Sequence, residues 1–122
     1  MLGAAHAAAN PLTAHYGIIH GQAVGMMLPH VVRFNAGDAE AMKLYAKLNL
    51  GSGKAKVKIE ELVQKLESIL KLAKMPKSLS ECGVKKAAFP MLAAEAAKQW
   101  TAGFNPRTVT EGDFVRLYEE AF

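Results

Sequence analysis

Four histidines, His6, His15, His20 and His30, fall within the first 30 residues of this 122-residue chain, and none occurs later. Neutral imidazole is the commonest protein ligand for iron and zinc, so the cluster raises a metal hypothesis on physical grounds. His6 and His20 stand 14 residues apart. On one straight helix they would share a face yet lie roughly 21 Å apart, too far for a single ion. They converge only if the chain turns back between them. Asn10-Pro11 offers a break or kink and Gly17 can end a helical piece. A helix, a reversal and a second helix beginning near His20 would bring both rings to one point. No histidine pair has a zinc-finger spacing, and on spacing alone the competing reading, surface or core-satisfied histidines, carries more weight.

The elements that would position these residues are helical. In residues 56–74, Ile59, Leu62, Val63, Leu66, Ile69, Leu70 and Ala73 recur at spacings of three and four, an apolar stripe expected to face a core. A further helix is expected after Asp38, which can cap it, carrying Ala41, Met42, Leu44, Tyr45 and Leu48 to a stop at Gly51. Gly51-Ser52-Gly53 reads as a linker too short to separate domains. Residues 89–100 read as a short helix. The last helix has Thr110 as its cap, Asp113 in a capping-box position, and Phe114, Leu117, Tyr118 and Phe122 as its apolar face. Asn105-Pro106 is the turn before it. With no strand pattern and no repeat, the expected architecture is all-α, a helical bundle forming a single domain over residues 1–122.

Composition sets the outer bounds. Hydrophobic residues make up 51% and charged residues 21%, an ordinary globular balance. The net charge of +4, from 15 basic and 11 acidic side chains, is too mild and scattered to argue for nucleic acid. No apolar run approaches the ~20 residues of a membrane span. The lone Cys82 excludes an intrachain disulfide and is expected to be a buried or partly buried thiol in a reducing, cytoplasmic setting. His15 is read as an exposed turn residue and His30 as a satisfied structural one. Gly21 and Gly25 form a GxxxG spacing, which in a soluble helix means close packing before anything chemical.

The run over residues 3–35, GAAHAAANPLTAHYGIIHGQAVGMMLPHVVRFN, resembles the signature of the iron-containing (group III) alcohol dehydrogenases. The likeness continues through residues 78–84 and through Asn105-Pro106-Arg107, so it spans essentially the whole chain. It implies the C-terminal helical, metal-binding domain of that family. His6 and His20 then correspond to two ligands of the catalytic Fe2+ or Zn2+. Asn10 stands where the family usually carries a histidine, which places in doubt a proton-relay role there but leaves a substrate or ligand contact open. Gly21 and Gly25 become candidates for close approach to the nicotinamide of NAD or NADP, a cofactor this chain would not bind alone. The family's other two metal ligands and its nucleotide-binding domain lie upstream of this segment. The resemblance therefore implies hydride transfer between a small alcohol and an aldehyde or ketone only in partnership with that domain, with self-association possible. The alternative is a helical binding or assembly module that no longer catalyses anything. A related reductase acting on maleylacetate or glycerol is a weaker third reading.

Overall fold

The computed structural model describes residues 3–48 and 54–122. Helix α1 covers Gly3–Tyr16, α2 His20–Asn35, α3 Ala39–Leu48, α4 Ala55–Leu72, α5 Phe89–Ala97 and α6 Glu111–Glu120. Two short 3₁₀ turns, Lys86–Ala88 and Trp100–Phe104, flank α5. Among the described residues there is no strand, so the all-α bundle expected from periodicity is what forms.

Helix α1 is the axis of the bundle. Ala4, Ala7, Ala8, Ala9 and Leu12 are fully buried, because α2, α5 and the second 3₁₀ turn pack around it. A helix buried on most sides should be apolar most of the way round, and the alanines also let neighbouring backbones come close. Tyr118 of α6 reaches into this core and donates its hydroxyl to the Ala8 carbonyl at 2.8 Å. Burial, with the Glu95 carboxylate adding to it, raises the Tyr118 pKa well above its ordinary value, so the phenol stays protonated as a donor. Phe89 stacks on Tyr118 and meets Phe122 edge-on, closing the end of the core.

A second, smaller cluster of Val32, Ile59 and Val63 joins α2 to α4, with Met42 and Tyr45 of α3 packed against it. The stripe on α4 is thus only partly core-facing. Ile59 and Val63 are buried, Leu62, Leu66 and Leu70 are half-buried, and Ile69 and Ala73 are exposed. The physical reason is rotation: at 100° per residue, Ile69 lies at the edge of the face defined by Ile59 and Val63, and α4 has neighbours on that one face only.

The helix ends follow the capping residues. Asp38 accepts from the Ala41 amide at 2.8 Å, as expected of the cap of α3; the expected stop at Gly51 and the Gly51–Gly53 linker lie outside the described residues. The helix expected over 89–100 ends at Ala97, and its last residues tighten into the 3₁₀ turn that begins at Trp100. Cys82 is partly buried, and burial followed by the Glu81 charge pushes its thiol up, as suits an inert cysteine.

The best-defined terminus is that of α6. The Thr110 hydroxyl oxygen accepts from the Asp113 amide at 3.2 Å, and the Asp113 carboxylate accepts from the Thr110 amide at 2.8 Å. Burial works against ionising Asp113, but the Thr110 donors and Arg116 outweigh it and hold the carboxyl below its usual value. A folded-state pKa lowered in this way contributes stability that is present above the unfolded value of about 3.9 and lost as pH falls through the folded value. Thr110→Ala should therefore cost about 0.5–2 kcal/mol in denaturant melts near neutral pH. In Asp113→Asn, the part of the acid-induced loss of stability below about pH 4 that belongs to this carboxyl should disappear.

Candidate metal centre

The two histidines that sequence spacing left 14 residues apart are neighbours in space. The His6 and His20 ring centres lie 5.3 Å apart with their planes tilted by 51°. His6 sits one turn into α1, half-buried, and His20 is the exposed first residue of α2. The expected break at Asn10-Pro11 does not form: α1 runs unbroken from Gly3 to Tyr16 with Pro11 inside it. Proline deprives an interior turn of one hydrogen bond, but Pro11 is itself fully buried, and tertiary packing holds the helix across it. The reversal comes entirely at Gly17, whose φ of +63° is the left-handed conformation that ends a helix. The segment 17–19 then runs back beside α1, with Ile18 buried and Ile19 exposed.

Asn10 stands one turn after His6, four residues on and thus on the same helix face. Its amide nitrogen donates to the Gln99 side-chain oxygen at 2.9 Å. One turn further, the His15 Nε2 lies 3.0 and 2.9 Å from the two carboxylate oxygens of Glu95. Helix α1 is thus tied to α5 through Glu95 and to the segment just after α5 through Gln99. His15 is accordingly a paired helical residue and not a turn residue. Asn10, Thr13, His20, Glu95 and Gln99 line one open cleft of about 470 Å³. Gln99 and Glu95 went unrecognised in the sequence because their partners lie 89 and 80 residues away.

The remaining candidates fall elsewhere. A side chain at Gly21 would meet open space, whereas one at Gly25 would stand 3.1 Å from the Leu70 side chain, so Gly25 is where α2 and α4 pack closely. His30 is half-buried with Glu120 at 3.8 Å; burial, and then the Arg33 charge, lower its pKa. Beside the cleft, Trp100 and Phe104 of the 3₁₀ turn form an exposed edge-to-face pair at 5.5 Å.

The separation of the two imidazoles suits one ion. With metal–nitrogen bonds of about 2.0–2.1 Å and a tetrahedral angle, two ligand rings would have centres about 5 Å apart. Two donors make half a first shell, and among the described residues no group of three or more His, Cys, Asp or Glu could hold a metal. Because the pair depends on the backbone at Gly17, Gly17→Ala should destabilise the domain by roughly 1–2 kcal/mol. No atom crowds that position, so the cost is conformational and Gly17→Asn, which tolerates the left-handed region, should cost less in the same chemical melts.

Residues 1–122 match the profile of the Fe-containing alcohol dehydrogenase family, C-terminal. The chain is 34% identical to the lactaldehyde reductase of Escherichia coli (strain K12), an alignment covering 99% of this chain and 33% of that protein. It is 32% identical to the 1,3-propanediol dehydrogenase of Klebsiella pneumoniae, covering 99% and 32%. In three dimensions it superposes on the crystal structure of a 1,3-propanediol oxidoreductase with a TM-score of 0.87 and 30% identity, covering 98% of this chain and 32% of that one. The chain thus spans about one third of the length of these relatives. A six-helix bundle carrying a close histidine pair, matched along its full length, belongs to the iron-containing alcohol dehydrogenase family and corresponds to its C-terminal domain.

Proposed function

We propose that this chain is the metal-holding domain of an NAD- or NADP-dependent alcohol dehydrogenase, with His6 and His20 as two imidazole ligands of a divalent iron or zinc ion. The observation that carries the reading is the 5.3 Å approach of the two rings. Both metals accept imidazole, so the donor set fits either. A divalent ion held there supplies Lewis acidity, which favours ionisation of a bound alcohol or polarises a carbonyl.

The chain's own residues then have distinct tasks. His6 and His20 hold, from two helices whose relative position is set by Gly17. Asn10 offers hydrogen bonds to a substrate beside them, its orientation fixed by the bond to Gln99. Gly21, with open space where a side chain would point, lets a nicotinamide come near the start of α2; Gly25 is already occupied by packing. The exposed Ile19, Trp100 and Phe104 form apolar surface around the cleft that the nucleotide-binding domain and a small alcohol or aldehyde would cover. The remaining metal ligands come from that partner domain, so residues 1–122 by themselves bind metal weakly and do not turn over.

The test is calorimetric titration of Zn2+, and of Fe2+ without oxygen, into the purified chain and into a His6→Ala/His20→Ala double variant. The expected result is weak binding that the double variant loses, by more than the roughly 10–100-fold that removing a merely supporting partner costs. Unchanged affinity in the double variant would show that these histidines are not the ligands.

A further inference from the structure

We propose that the cleft between the C-terminal end of α2 and helix α6 is a binding site for a small oxyanion, a phosphate or phosphomonoester group, with Arg107 as its anchor. This site is separate from the histidine pair and does not rest on the metal reading. The cleft measures about 450 Å³ and is lined by Arg33, Arg107, Arg116 and His30, with Asp113 and Glu120 as its acidic members. That volume falls within the ~300–1,000 Å³ of small-molecule sites.

Three guanidinium groups line one concavity, but they are not equivalent. Arg33 is answered by Glu60 at 3.3 Å and Glu67 at 3.4 Å, both on α4. Arg116 pairs with Asp113. Arg107 is the exception: its partners are the Phe34 carbonyl, to which Nη1 donates at 2.8 Å, and the Phe34 ring, 4.0 Å from its guanidinium carbon. Neither partner carries a negative charge. The seat is built for it, since any side chain at Gly37 would stand 2.7 Å from Arg107 Nη1. A planar fork held at one nitrogen and stacked on one face keeps further donors for a bidentate acceptor, the geometry that suits phosphate and carboxylate oxygens.

The acidic lining does not cancel this. Asp113 is committed to the Thr110 amide, the Thr110 hydroxyl and Arg116. Glu120 lies at the exposed rim, 3.8 Å from His30. Arg116 is two-thirds exposed on its side chain and can turn from Asp113 toward a ligand as a second contact.

The experiment is a ¹H–¹⁵N NMR titration of the whole chain near neutral pH with inorganic phosphate and, separately, with glycerol 3-phosphate, at ionic strength held constant with sodium chloride. The expected result is a saturable shift of the Arg107 and Arg116 side-chain N–H signals and of amides around 34–37. Arg107→Gln should weaken binding roughly tenfold or more, the loss of a charge-assisted fork. Arg116→Gln, at an exposed position that leaves the fold intact, should weaken it several-fold. Saturation by both ligands assigns a general oxyanion site, and saturation by the ester alone assigns an organic phosphate. Shifts that chloride reproduces, or a response equal in wild type and both variants, would overturn the proposal.

Discussion

Everything at the candidate centre depends on how the chain reverses after α1. From His6 to the end of that helix is about 15 Å at 1.5 Å per residue. A tight turn leading straight into a second helix would leave His20 stranded at the far end. Instead Gly17 takes a positive φ and the chain passes through the short non-helical segment 17–19 before α2 begins. His20 therefore starts α2 level with the His6–Asn10 turn. The pairing is a consequence of one left-handed residue and the short non-helical segment that it opens.

Rigidity around that pair comes from α1 being buried. A helix that presents Ala4, Ala7, Ala8 and Ala9 to its neighbours has, over its first turns, only methyl groups at those contacts, and its position there is set by backbone approach. Tyr118 adds a directional constraint, because a buried hydroxyl without an acceptor would carry a desolvation cost of about 1–3 kcal/mol. Its bond to the Ala8 carbonyl fixes α6 against the turn that lies between His6 and Asn10. The same burial explains why Pro11 does not break the helix: the lost hydrogen bond is local, whereas the packing that holds the two ends spans three neighbouring elements.

What could be read from the sequence divides along that line. Periodicity and caps are local, so the all-α class, the capping box of Thr110 and Asp113 and the Asp38 cap were legible. The two-helix hairpin that joins His6 to His20 was legible as a possibility, because Gly17 was a visible helix terminator. Its break at Asn10-Pro11 was misplaced, since proline's local cost was weighed without the tertiary packing that offsets it. Ile69 looked like core because spacings of three and four admit a stripe wider than the one face of α4 that its neighbours cover. Gln99, Glu95 and Arg107 were illegible as site residues, because each acquires its meaning from a partner more than 70 residues away.

The bond from Asn10 to the segment just after α5 sharpens what asparagine at this position means. An amide bonded to an amide, as Asn10 is to Gln99, orients a neighbour but exchanges no proton near neutral pH, since neither group titrates there. His15 is held by Glu95 on a later turn of the same helix, outside the lining of the cleft that Asn10 and Gln99 share. The ties to Gln99 and to Glu95 thus come from different turns of one helix. The orientation of the Asn10 amide is therefore independent of protonation on this turn, so position and charge stay uncoupled there. A histidine at the position of Asn10 would couple the two, making the orientation of anything bound there depend on its own protonation. The amide pair removes that coupling at the place closest to the histidines, where a variable positive charge would compete most directly with a bound cation.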